Sequence, residues 1–183
     1  MDTRRFPELT REQMTEAQRR VHDSIASGPR RGVGGPFPAL LRSPELADRV
    51  QKVGEHLRFN SSLPARLNEL AILITARFWA AKYEWYAHRL LALKGGLDPS
   101  IVEALLHERR PATMRPDEEV VYDFCTTLHR EHAVGDALFR RAVAALGEQG
   151  VVDLIGVSGY YTIVSMTLNV AEVPLPPGEP SPW

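Results

Sequence analysis

Residues 69–88, which read ELAILITARFWAAKYEWYAH, decide the fold class of this chain. The first half of this stretch is strongly apolar and contains one acid, Glu69. Apolar residues flank the acid at the spacing of one helix face, namely Leu67, Leu70, Ala71 and Ile74. No segment of the chain shows the sustained apolar–polar alternation of a strand. The sequence therefore predicts an all-α protein.

No glycine or proline interrupts residues 65–94. A single straight helix of that length would be too long for a domain of this size. We therefore predict two helices, over residues 64–78 and 82–94, with a break near residues 79–82. If the two helices pack as a hairpin, Glu69 can approach residues of the second helix.

The rest of the chain shows helical spacing that is divided by glycines and prolines. Ser43-Pro44-Glu45 begins a helix with proline at the first helical position, and this helix stops before Pro64. Thr10 and Gln13 have the spacing of a capping box, which starts another helix over residues 10–27. Further helices are predicted over residues 98–108, 116–132, 135–146 and 148–171. We expect at least seven helices and no sheet.

Two segments are predicted to be irregular. Residues 28–38 hold four glycines and three prolines, and Phe37 is expected to fill the core from an extended backbone between two of those prolines. Residues 174–183 hold five prolines and are expected to form a tail that is disordered or lies on a neighbouring subunit. Residues 1–173 are therefore predicted to form a single helical domain.

The composition excludes several classes of function. The chain has 183 residues and a net charge of −1, which gives no general attraction to nucleic acid or to an anionic membrane. No predicted helix is basic enough for a DNA-binding regulator. Cys125 is the only cysteine, so a dithiol redox site is impossible. The N-terminal residues lack the apolar run of a signal peptide, and no stretch has the uncharged length of a transmembrane helix, so we expect a cytoplasmic protein.

A candidate catalytic group lies in the second half of residues 69–88. Glu84 and His88 are four positions apart and share a helix face. A carboxylate beside an imidazole fixes its tautomer and stabilises its protonated form, which makes a general acid or base near neutral pH. Glu69 would need a partner or a raised pKa if it faced the interior.

Each of these residues also has a purely structural interpretation. Glu84 and His88 can form a solvated surface contact, and Glu69 can pair with Arg66 or Arg77. The neighbouring aromatic residues can be core or interface residues. A metal ion between Glu84 and His88 would need more ligands, and no HExxH or similar motif occurs. We therefore predict neither a metal nor a cofactor.

The segment from Leu57 to Leu97, with residues 159–169 and Val173-Pro174, resembles the carboxymuconolactone decarboxylase family. That family also contains the alkylhydroperoxidase D-like proteins, in whose peroxidase branch a Glu, a Cys, a Tyr, a second Cys and a His follow one another at fixed spacing. When that pattern is aligned on Glu69, Tyr83 and His88 match its Tyr and His. The two cysteine positions hold Ala81 and Glu84 instead.

The missing cysteines change what the resemblance implies. Peroxide reduction in that branch needs a thiolate, and none is present at either position. Cys125 lies in another predicted helix and is interpreted as a small buried apolar residue. An atypical peroxide-linked oxidoreductase is therefore only an alternative.

The resemblance implies an alkylhydroperoxidase D-like helical bundle that assembles into trimers or hexamers. It also implies a cofactor-free lyase or isomerase that acts on a small carboxylated lactone of aromatic catabolism, or on a related acid. In this interpretation His88 shuttles a proton to or from carbon, and Glu84 or Glu69 orients it. Arg77 is the candidate for binding the substrate carboxylate. Four aromatic residues are candidates for the substrate pocket, namely Tyr83, Trp85, Tyr160 and Tyr161.

A second alternative is a non-catalytic oligomeric protein that binds a small acid. The same aromatic residues could line its pocket without any turnover, because fold does not determine function. The last helix favours a homo-oligomer in either case. Its segment Ile155 to Leu168 has no charged side chain, so a solvated face is hard to find there.

Overall fold

A computed structural model describes residues 5–30 and 32–183, and within them the chain forms eight helices and no strand. The helices are α1 (Glu16–Ser27), α2 (Phe37–Leu40), α3 (Pro44–Phe59), α4 (Ala65–Phe78), α5 (Lys82–Lys94), α6 (Pro99–Leu106), α7 (Pro116–Glu131) and α8 (Asp136–Ala171). The prediction of an all-α protein with at least seven helices is confirmed. The first four residues of the N-terminal segment, and Arg31 of the predicted loop, lie outside the described residues.

Helix α4 is the central element of the fold. Helices α5, α7 and α8 all pack against it. Every residue from Leu67 to Ala76 is buried except Glu69, which is partly exposed. The sequence indicated one buried face, whereas the structure buries α4 on nearly all sides. An acid on such a helix needs a polar partner, because an unpaired charge in the interior is very costly.

A tight turn separates α4 from α5 at residues 79–81, as predicted. Ala80 has a φ of 48°, in the left-handed region, which costs an L-residue roughly 1–2 kcal/mol. Two side-chain hydrogen bonds to α8 hold the turn in place. The Trp79 indole donates to Thr162 Oγ1 at 3.1 Å, and Asn169 Nδ2 donates to the Trp79 carbonyl at 2.7 Å. The turn lets α5 fold back along α4.

Helix α8 contains an internal break. Gly147 has φ 72° and ψ 168°, so the element consists of two helical segments that meet at the predicted boundary. By length and composition alone α8 could cross a membrane, and 56% of its most apolar window is buried inside the protein. The core helix of a soluble protein passes the same test, so this helix is only weak evidence for a membrane span.

The start of the first helix was predicted wrongly. Helix α1 begins at Glu16, and its N-cap is Thr15, whose side chain accepts from the backbone N–H of Gln18 while the Gln18 side chain accepts from the Thr15 N–H. Thr10 and Gln13 form a separate turn before it, in which the Gln13 side chain accepts from the Thr10 N–H. The sequence holds two capping boxes five residues apart, and only the second one starts the helix.

The expectation for Phe37 was half right. Its ring is buried in the core, with 4% of its surface exposed, as predicted. Its backbone, however, begins the short helix α2 instead of being extended. Proline is compatible with the first turn of a helix, because the N–H that it lacks has no intrahelical partner there.

The tail was also predicted wrongly, because it packs on its own chain. The ring of Trp183 lies edge-on to Trp85, with 5.7 Å between centroids, and covers the Arg77 guanidinium at 4.5 Å. Glu179 forms an ion pair with Arg89 at 2.9 Å. Five prolines limit the freedom of the unfolded tail, so ordering it costs less entropy than ordering a flexible segment.

Candidate active site

The imidazole of His88 lies between two carboxylates. Its Nδ1 is 2.7 Å from Oε2 of Glu69 on α4, and its Nε2 is 3.0 Å from Oε1 of Glu84 on α5. The Glu84 contact follows from the four-residue spacing within α5. The Glu69 contact exists because α4 and α5 form a hairpin. The predicted convergence of the three residues is confirmed.

The group is buried and charged. His88 and Glu84 each expose only 4% of their surface, and Glu69 is partly exposed. Burial disfavours the imidazolium and by itself would lower the pKa of His88. The negative charge of Glu84 and the polar contacts of the ring with both carboxylates outweigh burial and raise that pKa to about 9. At neutral pH His88 is therefore an imidazolium that donates a hydrogen bond from Nδ1 to Glu69 and forms an ion pair through Nε2 with Glu84.

Glu84 and His88 form part of the wall of a cavity of about 240 Å³. Its other walls come from the loop before α2, from α3 and from α8. They include Arg30, Gly35, Phe37, Arg58, Tyr83, Tyr160, Tyr161 and Val164. Glu69 does not line the cavity, and its carboxylate is connected to the cavity wall only through its contact with His88 Nδ1. Of the two carboxylates, only that of Glu84 can meet a molecule in this cavity.

Two arginines line the same cavity as Glu84. Arg30 donates to the Tyr160 hydroxyl at 3.2 Å and lies over the Phe37 ring. Arg58 has its guanidinium over the ring of Phe59. Within the described part of the chain neither arginine has a carboxylate partner. The cavity therefore combines a buried imidazolium with two guanidinium groups that are not neutralised by a carboxylate of the described residues.

The Tyr161 hydroxyl is a further polar group in the cavity wall. It is buried and has no hydrogen-bond partner among the described residues. Buried hydroxyls in folded proteins are nearly always paired, so a water molecule or a ligand is needed to complete the bonding of this one. The Tyr161 ring meets the His88 ring edge-on, with 5.1 Å between centroids.

Two glycines make room for this arrangement. A Cβ at Gly54 would overlap the Tyr160 ring and the Arg30 guanidinium, so only glycine lets both pack across α3. Gly35 has a φ of 62°, which favours glycine, and it passes close to the Tyr83 ring. The glycine-rich loop thus forms a wall of the cavity instead of a solvated connection.

The structure sorts the substrate-binding candidates into two groups. Tyr83, Tyr160 and Tyr161 line the cavity. Trp85 does not, because on α5 it faces the core and the Trp183 ring. Arg77 does not either, and its assignment to this site is wrong.

Arg77 faces away from His88. Its Nε donates to the Leu106 carbonyl at 3.1 Å, its Nη1 pairs with Glu108 at 3.3 Å, and Trp183 covers it. The suggested partners of Glu69 are likewise excluded, since Arg66 pairs with Asp117 and Glu118. Sequence reasoning missed Arg30 and Arg58, because both reach the cavity through long-range packing that no local spacing reveals.

The remaining chemistry-bearing groups do not add to this site. Among the described residues no cluster of three or more His, Cys, Asp or Glu is arranged to hold a metal ion. Cys125 is buried beside Ser158 at 3.6 Å, and burial raises the pKa of its thiol to about 12. Such a thiol is not a nucleophile at neutral pH.

The sequence matches no protein-family model. It also matches none of the curated proteins with which it was compared.

Proposed function

We propose that the protein is a cofactor-free lyase or isomerase of the carboxymuconolactone decarboxylase kind, acting on a small carboxylated lactone or a related acid. The observation that carries the proposal is the buried imidazolium of His88, held between two carboxylates at the wall of a cavity that contains two arginines. The resemblance described above supports the same function.

In this mechanism His88 is the proton store and Glu84 is the group that meets the substrate. Both imidazole nitrogens are bound to carboxylates, so a proton leaves His88 through one of them. Glu84 lines the cavity and Glu69 does not. A proton therefore moves from Nε2 to Glu84 and from there to the substrate carbon, while Glu69 holds the ring and stabilises its charge.

Arg30 and Arg58 take the role in carboxylate binding that the sequence assigned to Arg77. A guanidinium binds a carboxylate through two parallel charge-assisted hydrogen bonds. A volume of about 240 Å³ is at the small end of ligand cavities, which favours a compact substrate. Tyr83, Tyr160 and Tyr161 provide apolar rings beside it.

The proposed decarboxylation replaces a carboxylate by a proton at one ring carbon. The bond between the ring carbon and the carboxylate breaks, carbon dioxide leaves, and the electron pair stays on carbon, conjugated with the lactone carbonyl. The carbon then takes one proton from the relay through Glu84, and the relay takes one proton from solvent. In an isomerisation the same relay removes a proton from one carbon and returns one to another.

We propose a homo-oligomer, with trimers or hexamers expected from the resemblance. One face of α8 carries a continuous row of exposed apolar residues, namely Val152, Ile155, Ile163, Met166 and Val170. Leu46 and Val53 of α3 are also exposed, and Leu46 lines the same surface groove as Met166 and Val170. An apolar row of this length on a helix is typical of a contact surface. A second copy in a cytoplasmic oligomer is the proposed occupant.

The test is incubation with a panel of carboxylated γ-lactones in D₂O, followed by proton NMR. We expect loss of the carboxylate as carbon dioxide, or migration of the double bond, with one deuterium incorporated at carbon. Glu84→Gln should lower the rate about 100-fold or more, since general acid catalysis contributes that much. Glu103→Gln is the matched control, because Glu103 forms the same four-residue pair with His107, at 2.9 Å, on an exposed surface.

Binding of these acids without turnover by the wild-type protein would favour the non-catalytic alternative. No observation supports the peroxide-linked alternative, because the thiol of Cys125 is buried and protonated.

A further inference from the structure

A second cavity, of about 320 Å³, lies against α4. It is enclosed by α4, the end of α6, the connection that follows α6, and α7. Its lining consists of Ile74, Arg77, Phe78, Leu105, Glu108, Arg109, Tyr122, Thr126, His129 and Arg130. None of these residues lines the cavity at His88, so the two spaces are separate.

Positively charged side chains outnumber negatively charged ones around this second cavity. Three arginines line it, against one carboxylate, that of Glu108. Arg77 is neutralised by Glu108 and covered by Trp183. Arg109 and Arg130 are exposed and have no carboxylate within 4.0 Å in the described part of the chain. Two cationic groups at the mouth are thus free to bind an anion.

One wall of this cavity is aromatic and uncharged, and its Phe78 ring is partly open to solvent. The His129 ring stacks on Phe78, with centroids 4.9 Å apart and planes 16° apart. The Thr75 hydroxyl donates a hydrogen bond to the Ala71 carbonyl. Thr75 Oγ1 is also 2.9 Å from His129 Nε2, and because its only hydrogen is already used, the imidazole must be the donor in this second contact. Burial lowers the pKa of His129, which keeps the ring neutral at pH 7.

Thr126 supplies an unpaired polar group in the same wall. Its Oγ1 is buried and makes no hydrogen bond to any described residue. A threonine on a helix usually donates to the carbonyl four residues earlier, as Thr75 and Thr167 do here. A buried hydroxyl without a partner costs roughly 1–3 kcal/mol, and a bound acceptor would remove that cost.

We propose that this cavity is a second ligand site, which binds a small aromatic carboxylate. The carboxylate lies at the mouth, where Arg109 and Arg130 bind it through charge-assisted hydrogen bonds. The aromatic body lies against Phe78, Tyr122 and the neutral His129 ring. Thr126 hydrogen-bonds to the ligand from the aromatic wall. The site is distinct from the one at His88, because the two cavities share no lining residue among those described.

The experiment uses benzoate as the probe and the ¹⁵N-labelled full-length protein. We expect benzoate to shift the amide signals of Thr126, His129 and Arg130, and to do so in proportion to occupancy. Benzamide has the same shape without the charge, and it should bind at least about 10-fold more weakly, since charged hydrogen bonds are worth roughly 1.5–3 kcal/mol. Inorganic phosphate, which has no aromatic body, should likewise bind more weakly than benzoate.

Two variants locate the site. Arg109→Gln with Arg130→Gln should weaken benzoate at least about 10-fold for the same reason, and Thr126→Val should weaken it several-fold. The matched control is Arg49→Gln with Arg140→Gln, which removes two exposed arginines outside both cavities and should leave the affinity unchanged. Circular dichroism checks that each variant is folded.

Three results would overturn the proposal. The first is unchanged benzoate affinity in the folded Arg109 and Arg130 double variant. The second is benzoate shifts confined to amides around His88, which would assign the acid to the first cavity. The third is equal affinity for phosphate and benzoate at the second cavity. None of them bears on turnover at His88, so this proposal and the proposed function can fail separately.

Discussion

His88 Nδ1 lies 2.7 Å from Glu69 Oε2, although the two residues are 19 positions apart and belong to different helices. This contact joins α4 to α5 across their hairpin. It places the Glu69 carboxylate at Nδ1 of the imidazole, while Nε2 contacts the Glu84 carboxylate. The buried group therefore carries one positive and two negative charges, and its protonation affects both stability and chemistry.

Stability should decrease as the pH rises from 6.5 toward 9. The pKa of His88 is about 9 in the folded protein and about 6.5 when unfolded, so the folded state holds its proton more tightly. The stabilisation is complete below pH 6.5 and is lost as the pH passes the folded pKa. It amounts to about 3 kcal/mol at most. Urea unfolding at several pH values measures it.

His88→Gln is the control for this titration, and it should flatten the curve between pH 6.5 and 9. His129 acts in the other direction, because burial lowers its pKa. Its protonation therefore reduces the stability of the folded protein only as the pH falls below 6.5. A wild-type curve that is flat from pH 6.5 to 9 would show that the carboxylates do not hold the imidazolium.

Glu69 and Glu84 should have distinguishable effects on turnover. Glu84→Gln removes the group that meets the substrate and should lower kcat with little change in KM. Glu69→Gln removes a positioning charge and should lower the pKa of His88, which moves the alkaline limb of the pH–rate profile to lower pH. If Glu69→Gln shifts no limb of that profile, Glu69 does not tune the imidazole.

Cys125→Ala should leave turnover nearly unchanged. The thiol is buried beside Ser158 and does not line the cavity that contains Glu84, and burial raises its pKa to about 12. Loss of the sulfur leaves a small cavity, which should cost roughly 1 kcal/mol in the free energy of unfolding. A large drop in kcat with the stability retained would move the chemistry to Cys125.

Trp183→Ala should destabilise the protein by roughly 1–3 kcal/mol, because the ring packs on Trp85 and covers the Arg77 guanidinium. Glu179→Gln removes only the half-exposed pair with Arg89 and should cost less than about 1 kcal/mol. Thermal unfolding separates the two variants. Equal, negligible effects would mean that the tail does not pack here in solution.

Ile163→Glu should dissociate the proposed oligomer. Ile163 is 43% exposed in the middle of the apolar row on α8, so a buried carboxylate there would lack a partner in an interface. Light scattering at micromolar concentration checks this. Lys82→Glu, an exposed substitution outside the row, is the control. A monomeric wild-type protein would contradict the expectation.

The accuracy of the sequence-based predictions depended on how local each feature is. The Glu84–His88 pair follows from four-residue spacing, and the turn before Lys82 follows from the limit on helix length. The assignment of Arg77 to the substrate site was wrong, because the distance along the sequence between Arg77 and Glu69 does not reveal which residues of other helices pack against Arg77. The tail was misjudged for the same reason, since Trp183 is held by residues about a hundred positions earlier.

The sequence by itself determined the longer helices, their main breaks, and the pairing of Glu84 with His88, although not helix α2 or the start of α1. Those features depend on backbone geometry and on contacts within a few residues, which spacing, glycine and proline report directly. Only the tertiary structure decided that Arg30 and Arg58 line the same cavity as Glu84 and that Arg77 lines another one. Packing of distant helices sets those neighbours, and the physical reason is that a side chain's surroundings depend on how the whole core fills space.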